Sequence, residues 1–307
     1  MMNQEAIAKL KGLYLTEESR QEVKDSINKF GGVGVIAMTL HKGKNIIRAR
    51  TNGIVGEDKL EGPFNKKADF LYKPAKFNTT YQRASTPHQT MFYGVAYPEE
   101  ESMESARLIA TLEGSKLLRA EREGEEKISY GRFVVTQDIP LIAICYNEGF
   151  VPRSRHAAEL YEAWRKGLTA LPPELQERSI AVTQYLGNEF SKMVLNTAPH
   201  TDYMISGIYT EMVAAKGKAG VYYPSVKNLH VEQGVLFNVA ITPAYAENCL
   251  KLISAGECTI YSEKGNIVVD NDSVTTITDE TQVFEFSTLG SPYHVGREEV
   301  YKRLGSK

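Results

Sequence analysis

The alternation of hydrophobic and polar positions predicts strands first, then helices, then strands again. Apolar runs rich in β-branched or aromatic residues predict strands at residues 33–40, 45–50 and 90–96, and two more within 127–144. Apolar positions at helical spacing predict helices over residues 1–30, 102–118, 156–168, 173–195 and 203–215. Ser19 with Glu22 has capping-box spacing inside the first of these.

The C-terminal part of the chain reads as short strands. They are predicted at residues 220–223, 235–241, 259–261, 267–270 and 282–286, with a hairpin turn at 263–266. Residues 51–80 show no clear period and are predicted to be mostly loop. This order of elements is typical of an α+β fold in one compact domain, because it is not the alternation that builds parallel βαβ sheets.

Composition and charge exclude several protein classes. The 307 residues carry 36 basic and 38 acidic side chains, so the formal net charge of −2 favours no nucleic-acid partner. Three cysteines are too few for a disulfide framework and indicate a reducing compartment. No apolar run approaches the ~18 residues of a membrane span, and the N-terminus lacks a secretory pattern. We therefore expect a soluble, cytoplasmic protein without a membrane partner.

Two apparent motifs are rejected on their context. Residues 32–37 fit a dinucleotide-binding glycine pattern, but a helix precedes them and a strand follows, the reverse of what that site needs. Asp270-Asn271-Asp272 begins like a calcium loop, but Thr275 and Thr281 occupy its glycine and glutamate positions, so we interpret it as a polar hairpin tip. No histidine or cysteine has metal-ligand spacing, and no metal is expected.

Four short segments carry residues suited to an anionic substrate. Arg48 and Arg50 lie two positions apart in a predicted strand, so their side chains point to the same face. This pair can bind a phosphate group, or it can simply form an exposed basic strand face. Arg83 precedes a turn, and Tyr93 ends a strand beside a glycine, where it can stack on a ring or simply fill the core. Each segment alone has an ordinary structural explanation.

The other two segments follow later in the chain. Glu104 lies in the first turn of the predicted helix 102–118, facing either a site or solvent near the helix dipole. Ser225 follows Tyr222-Tyr223-Pro224 at a strand end, and Asn238 lies in the next apolar strand. Ser225 can face a cleft or belong to a turn.

In this order and context, these residues resemble the RES domain, a family named for an Arg, a Glu and a Ser. Residues 90–104 and 220–241 carry most of the resemblance, which spans roughly residues 40–245. It implies one RES-like domain over 1–307, with an N-terminal helical extension at 1–30 and a β-rich C-terminal extension at 246–307. The implied core is an ADP-ribosyltransferase-like split antiparallel sheet with flanking helices.

The resemblance also implies an activity and partners. Characterised members consume NAD+, some as NAD+ phosphorylases with inorganic phosphate as co-substrate, and toxin members are held inactive by an antitoxin protein. We therefore expect NAD+ and phosphate as substrates, no metal, and an antitoxin or a homo-oligomer as open partner hypotheses. The chain is longer at both ends than the compact toxins. This difference counts against toxin activity more than against the fold.

Family roles carry over residue by residue. Arg48 takes the family arginine position, with Arg50 as the competing assignment, and Glu104 and Ser225 take the catalytic glutamate and serine. Substrate binding falls to Arg50 and to the residues Arg83, Tyr93 and Asn238. Three other activities remain open: an NAD glycohydrolase, an ADP-ribosyltransferase acting on a macromolecule, and a non-catalytic nucleotide- or partner-binding module. An unrelated α+β hydrolase is disfavoured, because the nucleophile-elbow and metal motifs are missing.

Overall fold

The computed structural model describes residues 2–97, 103–144, 146, 155–194, 198–225 and 237–305. The helices are α1 (Met2–Gly12), α2 (Arg20–Asn28), α3 (Lys67–Leu71), α4 (Met103–Gly114), α5 (Lys116–Arg119), α6 (Arg155–Leu168), α7 (Pro173–Phe190), α8 (Met204–Ala215), α9 (Pro243–Cys249) and α10 (Arg297–Gly305). The strands are β1 (Ile36–Leu40), β2 (Asn45–Ile54), β3 (Phe92–Tyr97), β4 (Gly124–Val135), β5 (Ile139–Ala143), β6 (Gly220–Pro224), β7 (Phe237–Ile241), β8 (Leu250–Glu263), β9 (Asn266–Thr276) and β10 (Ser287–Thr288).

The chain forms two compact units, each assembled from three separate segments. Unit 1 comprises Met1–Leu40, Lys73–Tyr93 and Asp138–Ala246, and unit 2 comprises His41–Tyr72, Gly94–Gln137 and Glu247–Lys307. Among the described residues, no helix is long and apolar enough to cross a membrane.

Unit 1 is built on the strand order β1-β5-β6-β7. β5 and β6 run parallel and the other two pairs are antiparallel, with Tyr223 of β6 opposite Asn238 of β7. Side chains alternate between the faces of a strand, so Val221 and Tyr223 point to one face. They join a hydrophobic cluster with residues of α1, α2, α7 and α8, which places the main core of the unit on that face.

Unit 2 is an antiparallel meander-like arrangement in the order β3-β2-β4-β8-β9-β10. The α4 helix packs on the Ala49 face of β2, where a methyl group added to Gly114 would lie 3.7 Å from the Ala49 Cβ atom. On the opposite face, Gly131 of β4 lies so close to Phe70 of α3 that an added Cβ atom would come within 3.0 Å of its ring. Each face of the sheet in this unit is therefore covered by at least one helix.

The α+β prediction is confirmed, since the strands are mostly antiparallel and accompanied by helices. The predicted hairpin is also confirmed: β8 and β9 pair from Glu263 and Asn266 outward, and Lys264 (φ 50°) and Gly265 (φ 78°) lie in the left-handed region. Positive φ at both central residues gives the turn the twist that antiparallel strands require.

Several predicted boundaries are wrong. The helix over 1–30 is interrupted, because the Ser19 hydroxyl donates to the Tyr14 carbonyl and accepts from the Thr16 amide instead of capping with Glu22. The helix over 102–118 breaks at Ser115. Residues 282–286 form no strand, and α3, α9 and α10 were not predicted. The polar hairpin tip predicted at residues 270–272 is also wrong, because these residues lie inside β9, which pairs with β8. Cys145, Leu195, Val235 and the side chain of Glu104 lie outside the described residues.

Candidate functional site

Three of the candidate residues lie on the core face of unit 1. Asn238 stands opposite Tyr223, and Ser225 follows Tyr223 by two positions, so both continue the Tyr223 face. Tyr93 packs against the hydrophobic cluster that contains Tyr223. Ser225 is fully buried, and Asn238 is 8% exposed. These three polar side chains therefore share the face that the hydrophobic cluster covers.

Tyr93 is held by the loop that precedes β3. Its hydroxyl donates to the Ser85 Oγ atom at 2.9 Å. Ser85 is itself buried beside Asn78, whose side-chain amide donates to the carbonyls of Thr86 and Gln89. This loop packs tightly on α8, because a methyl group at Gly207 would lie 3.0 Å from the Ser85 carbonyl oxygen. The ring of Tyr93 is therefore fixed in place and still partly exposed.

Arg83 lies in the same loop and binds the end of α7. Its Nη1 atom donates to the Phe190 carbonyl at 2.6 Å and its Nη2 atom to the Lys192 carbonyl at 2.9 Å. The guanidinium also lies over the Tyr203 ring, 5.0 Å from the centroid. The last carbonyls of a helix lack intrahelical donors, and Arg83 satisfies that of Phe190, the last residue of α7, together with the Lys192 carbonyl just beyond the helix.

Arg50, in unit 2, also uses its guanidinium to bind other groups of the protein. It donates to the Asp69 carbonyl at 2.9 Å and to Glu61 at 3.1 Å, and it stacks 3.6 Å from the centroid of the Phe64 ring. Burial is the main influence on the Arg50 guanidinium and lowers its pKa from the usual value. These contacts tie the 61–69 segment to β2.

Arg48 shares the face of Arg50, as the alternation predicts. It stands opposite Gly131 in the register of β2 with β4, on the side where α3 lies, whereas Ala49 faces α4. Glu104 occupies the first turn of α4. The backbone therefore directs Arg48 away from the face on which α4 packs.

The candidates divide between the two units. Arg83, Tyr93, Ser225 and Asn238 belong to unit 1, and Arg48, Arg50 and Glu104 belong to unit 2. The sequence predicts no role for Asn78 or Ser85, which hold Tyr93. Asn78 lies in the segment predicted to be loop and Ser85 in the turn after Arg83, but turn-forming residues are common and do not identify their partners.

Comparison with family models, with curated proteins and with solved structures finds no match to this chain.

Proposed function

We propose that the chain is an NAD+-consuming enzyme of the RES type with an ADP-ribosyltransferase-like fold, acting as an NAD+ phosphorylase. The observation that carries the proposal is the gathering of Tyr93, Asn238 and buried Ser225 on one face of unit 1. These are the positions at which the resemblance requires an aromatic ring, an amide and a hydroxyl. They come from segments far apart in sequence, so only the fold brings them to one face.

The reaction transfers ADP-ribose from nicotinamide to phosphate. A phosphate oxygen forms a bond to the ribose C1″ atom as the C1″–nitrogen bond breaks, and the bonding pair leaves with nicotinamide, which becomes neutral. The transition state has oxocarbenium character, as in glycoside cleavage. Because the leaving group departs from a cation, no general acid is needed.

The family roles then follow from charge and shape. Glu104 supplies a carboxylate that stabilises the developing positive charge and holds the ribose hydroxyls. The phosphate-binding role of Arg48 rests on the resemblance alone, because its position in β2 directs it to the face opposite the one on which α4 packs. Tyr93 stacks on the nicotinamide or ribose, and Ser225 and Asn238 hydrogen-bond the substrate, so that positioning supplies much of the rate.

Arg50 and Arg83 have a different part in this proposal. Both use several guanidinium donors on protein atoms, including backbone carbonyls. Releasing them for a phosphate would leave those carbonyls without donors, at a cost of about 1–3 kcal/mol for each buried group. We therefore assign them to positioning.

The test is incubation of the full chain with NAD+, with and without inorganic phosphate, followed by phosphorus NMR and product chromatography. We expect nicotinamide and a phosphate-dependent ADP-ribose 1″-phosphate. Glu104→Gln should lower turnover by about 100-fold or more, because it removes the transition-state charge partner. Glu113→Gln on the same helix is the matched control and should stay near wild type.

Other products would indicate a different activity. Free ADP-ribose in both buffers would make the chain an NAD glycohydrolase, and transfer to an added macromolecule would make it an ADP-ribosyltransferase. NAD+ that binds but survives every condition would point to a binding module and overturn the proposal, as would a Glu104→Gln variant with wild-type turnover. Co-expression with a candidate antitoxin protein tests that partner. If the phosphorylase is a toxin, its expression should arrest growth and the antitoxin should relieve the arrest.

A further inference from the structure

Two carboxylates and an imidazole meet in unit 2, and none of the three residues has a part in the proposed NAD+ reaction. The Nδ1 atom of His294 lies 2.9 Å from the Oδ2 atom of Asp270 and 3.7 Å from the Oδ1 atom of Asp272. One possible ligand atom from each of the three residues lies within 4.8 Å of those from the other two. Asp270 and Asp272 belong to β9, and His294 precedes α10.

Both carboxylates are held in place by other groups. Asp270, only 3% exposed, accepts hydrogen bonds from the amides of Val295 and Gly296, at 3.0 Å each. The Oδ2 atom of Asp272 accepts from Lys127 Nζ and Thr259 Oγ1, both at 2.8 Å. The Oδ1 atom of Asp272 is left to face the imidazole. Such outer contacts are typical of carboxylates that are oriented for a ligand.

A second observation concerns the imidazole itself. The Nδ1 atom of His294 is buried from solvent, yet it has no hydrogen-bond partner among the described residues. Its 2.9 Å contact with Asp270 is an ion pair when the imidazole is protonated. In the neutral imidazole, the same nitrogen has a lone pair that can bind a metal ion together with the two carboxylate oxygens.

We propose that Asp270, Asp272 and His294 bind a divalent transition-metal ion, such as Zn²⁺ or Mn²⁺. Ligands at about 2.1 Å in a tetrahedral arrangement lie about 3.4 Å apart, and the two nitrogen–oxygen distances in the structure bracket that value. An imidazole ligand favours these ions over Ca²⁺ and Mg²⁺, which prefer oxygen.

The ion would act as a structural clamp. It joins β9 to the turn that leads into α10, a helix whose Val300 and Leu304 pack with Tyr261 of β8. Lys127 already compensates part of the carboxylate charge, so we expect binding weaker than at an all-cysteine zinc site. The proposal is independent of the NAD+ reaction, which uses none of these residues.

The experiment uses the untagged full chain, stripped with a chelator and dialysed against Zn²⁺ or Mn²⁺. We expect one ion per chain by elemental analysis, and a Tm that rises when the ion is added. His294→Asn should weaken the affinity by at least about tenfold and abolish the rise in Tm. Asp272→Asn should also weaken binding.

His88→Asn is the matched control. His88 is exposed and has a left-handed backbone, φ 62°, that asparagine tolerates well, so this variant should bind the ion like wild type. Far-ultraviolet circular dichroism checks that each variant is folded. Failure to retain an ion, or equal affinity in wild type and His294→Asn, would overturn the proposal. A His294→Asn variant that loses stability without any metal effect would show only an ion pair with Asp270.

Discussion

Two charged side chains, one in each unit, bind the ends of helices in opposite ways. In unit 1, Arg83 donates to the last carbonyl of α7, that of Phe190, and to the Lys192 carbonyl just beyond it. In unit 2, Glu126 of β4 is fully buried and accepts from the amides of Lys116 and Leu117, at 3.0 Å each, at the start of α5. Each charge complements the local helix dipole, positive at the amide end and negative at the carbonyl end.

The two differ in how completely they are enclosed. Glu126 also accepts from the hydroxyls of Ser115 and Thr51, so all of its described partners are neutral groups that point inward. Arg83 is only partly buried and keeps donors that do not bind backbone. A charge that is fully enclosed is structural, whereas a partly exposed one has to be judged by what its remaining donors can reach.

The largest expected effect is on Glu126. Glu126→Ala should lower the free energy of unfolding by about 3–5 kcal/mol, because the amides of Lys116 and Leu117 and two hydroxyls lose their acceptor in a buried environment. Urea denaturation measures it. Glu126→Gln, which keeps one carbonyl acceptor, should lose less. A loss below about 1 kcal/mol for the alanine variant would mean that the carboxylate is not what holds α5.

A smaller effect is expected for Arg83. Arg83→Ala should cost about 2 kcal/mol of unfolding free energy, because it removes two charge-assisted hydrogen bonds to carbonyls. The same variant should change the KM for NAD+ by less than threefold if Arg83 only positions α7. Unchanged stability together with a KM for NAD+ raised tenfold or more would mean that Arg83 binds the substrate.

The smallest effect is a pH dependence at Glu189, close to the end of α7 that Arg83 binds. Burial raises the pKa of this carboxyl, and its 2.5 Å pairing with Lys192 lowers it only in part. A raised pKa in the folded state favours the protonated acid, so this contribution to stability is present below the ordinary value of 4.5 and is lost as the pH rises above it.

The stability of Glu189→Gln relative to wild type should therefore increase between about pH 4 and pH 7. Thermal unfolding across that range measures it, and Glu177→Gln on the exposed side of α7 is the control that should show no such trend. A relative stability that falls with rising pH would mean that the ion pair with Lys192 outweighs burial.

Local patterns predicted much of the fold, and distant partners explain where they failed. The turn at Lys264 and Gly265 was predictable, because two neighbouring residues define it. Arg83 was predictable as an unusual arginine, but its partner Phe190 is 107 residues away, and no local signal links them. The burial of Glu126 was not predicted, because a glutamate in a strand of mixed polarity gives no sign that it will be enclosed.

The assembly of each unit from three separate segments has a consequence for how the chain folds during its synthesis. Unit 1 needs β7, which ends at Ile241, to pair with β6, and its parallel pair β5–β6 closes a long stretch of chain. Contacts of that kind slow folding, because loop entropy is lost before they form. The β8–β9 hairpin closes locally but is synthesised only after unit 1. The first strand of unit 1, β1, leaves the ribosome about 200 residues before its unit is complete. Throughout that span a chaperone has an exposed apolar strand to bind.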